Sequence, residues 1–374
     1  MGTTNQSVED VLALVKGLSG TSSVASSRVS FEDILPDADL VDQWAPGFEP
    51  NVTAKTVAGT FISKDQIMRA WKRGEMIHLV GPSGAGKTTL AFGILDIANE
   101  SVRAENRAIR DRNIAARQAG SKVFEEYKPL PYPLSHYSAN RGTRIEELIG
   151  DVTLEFDKET GTRKPVVVPG AVLSAWEHGK TLLFEEFDLS SPGILGSLHL
   201  LFDGTSQMYT SYINGVRRVF KSKDFRCIGT SNTHGAGENA MEFADTQPLN
   251  AAFMNRFSYT VNVTWLPEAT ESDILRKKCG LFGPNAERMI QVANKVRDNY
   301  DKGIVTRAIS TRNLLAWARE IKDNSLEFSK TELQTMTKRE SWLKIAVPSA
   351  IPTIVECLAE PDERQALYQL LLSF

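Results

Sequence analysis

The chain has 374 residues, 41% of them hydrophobic and 24% charged, with a formal net charge of −3 and a pI near 6.1. That length calls for two or three domains, and no apolar run approaches the roughly 20 residues of a membrane helix. The start lacks a basic-then-apolar leader, so a cytoplasmic location is the expectation. The slightly acidic balance weighs against wholesale phosphate-backbone binding but leaves room for a local basic groove. Cys227, Cys279 and Cys357 have neither pairing nor zinc-type spacing and read as reduced core cysteines.

Residues 1–50 read as an appendage. Ser7 with Asp10 suits a helix start, with Val8, Val11, Leu12 and Val15 on one face, and the Ser-rich run Ser19–Ser30 suits a flexible linker. A nucleotide-binding α/β domain is expected over 51–266. Its first strand is Met76–Val80, which stops at Gly81, and a helix follows from Lys87 to about Asn99. Further strands are expected at Leu134–Ser138, Thr181–Glu185, Phe225–Ser231 and Phe257–Trp265. The last alternates apolar and polar residues, as an edge strand does. From Glu268 the pattern is helical, broken at Gly283-Pro284 and Pro348, so 267–374 is expected to be an all-helical lid. No internal repeat is evident.

The run Gly81, Pro82, Ser83, Gly84, Ala85, Gly86, Lys87, Thr88 fits G-x-x-x-x-G-K-[ST], and it links an expected strand to an expected helix. Such a turn wraps backbone N–H groups around phosphate oxygens, and the helix start adds positive potential. Lys87 would neutralise the β- and γ-phosphates of ATP and Thr88 would ligate Mg²⁺; Thr89 belongs to the same nucleotide-binding set. Glu185 and Glu186 close the strand Thr181–Glu185. Alternation sends them in different directions, Glu185 to the magnesium shell and Glu186 to the attacking water. Glutamate stands at Glu185 where this class of site usually has aspartate. The extra methylene could turn direct contacts into water-mediated ones, so a slow or binding-only variant is the alternative. Asp188 reads equally as a cap for the next helix. Asn232, at the tip of Phe225–Ser231, is placed to hold the lytic water.

In this order, these parts resemble the MoxR branch of AAA+ ATPases, and within it the ATPase-subunit family of aerobic cobaltochelatases, the CobS type. The likeness runs over roughly 70–320, through Gly170–Gly204, Thr230-Ser231-Asn232-Thr233, Phe253–Phe257 and Ser310–Leu314. It implies an α/β P-loop AAA+ core with a five-stranded parallel sheet, β-hairpin insertions and a helical lid. It gives Asn232 the sensor-1 role, makes Arg256 an arginine finger acting on a neighbouring subunit, and makes Arg312 sensor 2 on a lid helix capped by Ser310. It further implies a homo-oligomeric ring, a hexamer being the expected form, that remodels a protein client, with a von Willebrand factor A-type partner in many relatives. A hairpin facing the ring pore is expected within about 151–170, its strands flanking a turn at Thr160-Gly161. It leads on from a capping box of Thr143 and Glu146. A second hairpin is expected around Asn214-Gly215. Residues 101–131 exceed the family pattern and carry Arg103, Arg107, Arg110, Arg112, Arg117 and Lys122. They suit a solvated helix or a docking surface for an acidic partner or nucleic acid. A nucleic-acid motor and an ATP-gated scaffold with little turnover are the rival functions.

Overall fold

The computed structural model describes residues 62, 64–156, 161–203, 206–211, 217–233, 249, 251–280 and 284–374. The expected appendage over 1–50 and the turns at Thr160 and Asn214-Gly215 lie outside them, as does Gly283. Five parallel strands form the central sheet in the order β2-β5-β8-β1-β9: β1 (Ile77–Val80), β2 (Leu134–Ser138), β5 (Thr181–Glu185), β8 (Arg226–Ser231) and β9 (Tyr259–Asn262). β1, β8 and the first four residues of β5 are buried along their length, which explains their unbroken apolar or small-residue texture. β9 is an edge strand as its alternation predicts, but it is shorter than Phe257–Trp265. Its parallel register with β1 ends at Val80–Asn262, where β1 gives way to the turn at Gly81.

One face of the sheet packs on helices α1 (Lys64–Lys72) and α2 (Lys87–Gln118), through Ile67, Trp71, Leu90, Ala91, Ile94 and Leu95. The other face carries an aromatic core in which Phe184, Phe187, Phe202, Phe253 and Phe257 meet ring to ring. Two short antiparallel hairpins branch from this layer. β3 (Gly150–Phe156) pairs with β4 (Arg163–Pro169), and β6 (Met208–Ser211) pairs with β7 (Arg217–Phe220). The first hairpin stands between α3 (Ile145–Ile149) and α4 (Ala171–His178). The expected capping box does not form at α3: Arg144 is extended and takes the cap position. Thr143 Oγ1 instead accepts from the Asn140 N–H.

The helix expected to end near Asn99 runs unbroken to Gln118, so residues 101–118 are its continuation and not a separate element. The chain then returns along it as an extended strap. Asn99, Asn106 and Asn113, seven residues apart, each grip the backbone of one residue of that strap. The side-chain amides donate to the carbonyls of Tyr132, Lys128 and Glu125, and the amide oxygens accept the same residues' N–H groups, at 2.8–3.0 Å. Seven helical residues advance about 10.5 Å, which three or four extended residues cover. The spacing of the strap contacts, 125, 128 and 132, follows from that match.

The C-terminal region is helical, as expected. Its core gathers Leu275, Met289, Trp317, Trp342, Ile345 and Leu371 from α5 (Glu268–Cys279), α6 (Pro284–Asp301), α7 (Thr311–Ser325), the turns after Ser341 and α8 (Pro361–Ser373). Around Pro348 and Pro352 the helix widens into two π-type turns, Trp342–Ala346 and Ile351–Val355. Each proline lacks the N–H for a regular helical bond, so the chain continues with altered pairing. Among the described residues, no helix is long and apolar enough to cross a membrane.

Candidate functional site

The carboxyl ends of β1, β5 and β8 bring three loops together, at the edge where open α/β sheets bind ligands. After β1 the chain turns through Gly81–Gly86 into α2. Gly86, at the helix N-cap, is in the left-handed region and offers no side chain to cap the helix, so the first N–H groups of α2 are left for an anion. Two glycines are fixed by close approach. A Cβ at Gly81 would lie 2.0 Å from the Val263 carbonyl oxygen, and one at Gly84 would lie 2.5 Å from Cβ of Ser310. The second contact seats the start of lid helix α7 directly on the phosphate-binding turn.

Lys87 is buried. Its Nζ donates to the carbonyl oxygens of Gly81 (2.7 Å) and Pro82 (3.1 Å) and to Asn232 Oδ1 (2.7 Å). Burial lowers its pKa to about 8, against the opposing pull of Asp188, Glu186 and Glu185. Thr88 donates its hydroxyl to Glu185 Oε1, so the longer glutamate side chain still makes the direct contact. The other carboxylate oxygen, Oε2, lies 2.5 Å from His136 Nε2 on β2. Burial alone would raise the Glu185 carboxyl, but the hydrogen bonds from His136 and Thr88 outweigh it and hold the group below its ordinary range.

Glu186 is, among the described residues, the one non-glycine residue with positive φ (50°). That left-handed turn costs about 1–3 kcal/mol, and it swings Glu186 off the line of β5. Its N–H donates to Thr230 Oγ1, which ties the acidic strand to β8. Burial, then the neighbouring Asp188 charge, raises the Glu186 carboxyl, with Lys87 and Arg312 pulling the other way. Asp188 does not cap the following helix; Ser191 does. Asp188 Oδ2 instead accepts from the N–H groups of Asn232 and Thr233 and from the Thr233 hydroxyl, fixing the turn that aims Asn232 at Lys87.

Arg312 is exposed on the first turn of α7, which Ser310 caps as expected; Asn313 returns the contact in a reciprocal pair. Behind it, the buried Arg297 and Glu271 form a two-pronged ion pair at 2.8 Å. Thr311 donates to the same carboxylate, and Arg297 lies over Trp265, so the start of α7 is tied to the chain leaving β9. Arg256 follows the short helix Ala251–Met254 and donates to the Ala252 carbonyl oxygen.

The oxygen donors suit a magnesium ion: a hydroxyl and a carboxylate meet at the start of α2. Among the described residues no group of three or more His, Cys, Asp or Glu is placed to hold a metal ion by itself, here or elsewhere. Magnesium is commonly held by one or two protein oxygens together with phosphates. Sequence reasoning reaches Gly81–Thr89, Glu185, Glu186 and Asn232, which the fold brings together. It does not reach His136 or the role of Asp188. The one signal for His136 is a polar residue on the α2 side of a strand paired with the acidic strand.

Three family descriptions match parts of the chain: ABC transporter over residues 65–174, AAA domain (dynein-related subfamily) over 121–257, and CbbQ/NirQ/NorQ C-terminal over 271–326. Among curated proteins, aerobic cobaltochelatase subunit CobS of a Sinorhizobium species is 26% identical over 149 residues, 38% of this chain and 44% of that protein. The match thus spans less than half the relative's length. Gas vesicle ATPase GvpN of Haloferax mediterranei is 22% identical over 271 residues, covering 72% of this chain and 69% of that one. Among solved structures, NtrX of Brucella abortus in complex with ADP aligns with a TM-score of 0.45 at 16% identity, over 97% of this chain and 76% of that one.

Proposed function

We propose, from the premise that the chain is a MoxR- and CbbQ/NirQ/NorQ-like AAA+ ATPase, that it is one subunit of a homo-oligomeric ring, hexameric in form, which uses ATP turnover to move a protein client. Residues 51–266 form the nucleotide-binding domain and 267–374 the lid in this reading. Lys87 leaves the Gly81 and Pro82 carbonyls to neutralise the β- and γ-phosphates, and the uncapped start of α2 supports the same charge. Mg²⁺, held by Thr88 and Glu185, supplies further neutralisation of the phosphate oxygens when bound. Glu186 takes the proton of the attacking water, a task its raised carboxyl suits. Asn232 orients that water, Arg312 brings positive charge from the lid, and Arg256 acts on the nucleotide of the neighbouring copy.

The observation that carries the client-moving role is the β3–β4 hairpin. Leu154 and Phe156 are 60% and 63% exposed, and Val152 and Val168 are exposed beside them. An isolated two-stranded hairpin is marginal in water, so these side chains favour a partner surface over a place in the chain's own core. The hairpin leads into α4, which packs on β5, so movement of the acidic strand reaches it through one helix. Proximity to the CobS type, and a von Willebrand factor A-type partner, belong to this proposal. The gas vesicle relative shows a likeness of similar rank with a differently named role, so the client is not inherited from either. The arm at 101–131 does not favour nucleic acid: it holds seven cations and four carboxylates, and Arg103, Arg107, Arg110, Arg112 and Lys128 are ion-paired, the first two with Asp96 and Glu100 just before it. Replacing Leu154 and Phe156 together with serine should leave basal phosphate release within about twofold of wild type, because neither residue touches the site. It should also abolish stimulation by the partner in a reconstituted ATPase assay. Full stimulation in that variant overturns the hairpin assignment.

A further inference from the structure

We infer that His136 is a positioning residue for Glu185, holding the metal-shell carboxylate from the side opposite Thr88 and so making a glutamate workable where this class of site uses aspartate. The inference rests on the proposed role of Glu185 toward Mg²⁺. A glutamate side chain has one more rotatable bond than an aspartate, and a carboxylate gripped at one oxygen only remains free to swing. Here both oxygens are gripped. Thr88 Oγ1 donates to Oε1 from α2, and His136 Nε2 sits 2.5 Å from Oε2 on the neighbouring strand.

The register explains why His136 can reach. β2 and β5 pair in parallel, with His136 opposite Leu183 and Ser138 opposite Glu185, so His136 and Glu185 share the sheet face that looks onto α2. On that helix Phe92 lies one turn beyond Thr88, and its ring meets the His136 ring edge-on with centroids 6.4 Å apart. The imidazole is therefore flanked by Phe92 while it contacts the carboxylate, and the one turn of α2 that supplies the magnesium hydroxyl also supports the histidine. An aspartate at this position would retract its carboxylate by about 1.5 Å, one carbon–carbon bond. It could not then span from Thr88 to His136 as the glutamate does. Histidine at 136 and glutamate at 185 are thus a matched pair.

The pairing makes a specific demand on a double-mutant cycle. The measured quantity is the metal-dependent part of nucleotide affinity: the Kd for a non-hydrolysable ATP analogue in EDTA divided by that in Mg²⁺. Free Mn²⁺ monitored by electron paramagnetic resonance gives a second, catalysis-independent readout. His136→Ala should lower that ratio about tenfold, the size of one charge-assisted hydrogen bond, with the EDTA affinity and the Tm unchanged. His136→Gln, whose amide can still donate, should recover a large part of it. In a Glu185→Asp background, His136→Ala should change the ratio less than twofold. An equal loss in both backgrounds, or a loss confined to the EDTA affinity, overturns the matched pair. Glu185→Gln separates the two levels. If it leaves the ratio intact, the metal-shell reading itself is wrong. If it lowers the ratio while His136→Ala and His136→Gln do not, only the role of His136 is wrong.

Discussion

The two ends of α2 handle positive charge in opposite ways. At its first residue, Lys87 is buried among carbonyls with three carboxylates near it, and desolvation brings its pKa down to about 8. At the far end Arg112 makes two hydrogen bonds to Glu125 from an exposed position, and the half-buried Arg107 makes one to Glu100. A solvated pair of this kind adds little to stability. The contrast teaches that the number of cations on a helix says little about binding. Burial, and the absence of a dedicated partner that fully offsets it, mark the functional one.

The largest expected break comes at the buried end. Lys87→Ala should weaken ATP binding by about 10²- to 10³-fold, or roughly 3–4 kcal/mol, since two charge-assisted contacts to phosphate are lost. Titration calorimetry at physiological salt measures it, and wild-type affinity in that variant would remove Lys87 from the site.

A smaller effect sharpens the same point through pH. Below about pH 8, Lys87 carries its proton before and after the nucleotide arrives, so this group leaves affinity flat. Above that value the free site has lost the proton while the phosphate-bound lysine keeps it. ATP binding then takes up a proton, and affinity falls by up to about tenfold per pH unit. Calorimetry near pH 8.5 in buffers of different ionisation enthalpy should show uptake in wild type and less uptake in Lys87→Gln.

At the arm end the effects are smallest. Each asparagine of the strap ladder makes two neutral hydrogen bonds, worth about 0.5–1.5 kcal/mol apiece. Asn99 is buried, whereas Asn106 and Asn113 are half-buried. Alanine substitution should therefore cost more stability at 99 than at 106 or 113, with ATP affinity within about twofold of wild type for Asn113→Ala. Urea unfolding orders the three. An equal cost at all three positions would mean that the strap is held chiefly by other contacts.

Much of this arrangement is legible in the residues. β1, β5 and β8 announce themselves because buried parallel strands carry unbroken apolar or small residues, β9 does so by its alternation, and Gly81–Thr88 stands out because its glycine-rich spacing lies between a strand and a helix. What escapes is what depends on pairing across distance. His136 and Asp188 draw their meaning from strand register and from the turn after β8, which no local pattern encodes. The length of α2 escapes for a different reason. Residues 101–118 read as helical, but Glu100 to Gln118 is polar nearly all round, so no continuous apolar stripe marks it as the same helix as Lys87–Asn99. Its stability comes from ion pairs and from asparagines seven apart that recognise a strap with no pattern of its own.

The claim that gives the chain its proposed mode of work is that the ATP site is completed by a second copy. Arg256→Ala subunits and Lys87→Ala subunits, each inactive alone, should recover part of the wild-type phosphate-release rate when mixed. In the mixed assembly some interfaces join an intact Lys87 site to an intact Arg256. Partial recovery that scales with the fraction of mixed assemblies, verified by native mass spectrometry, is the predicted result. No recovery in verified mixed assemblies would contradict the shared site.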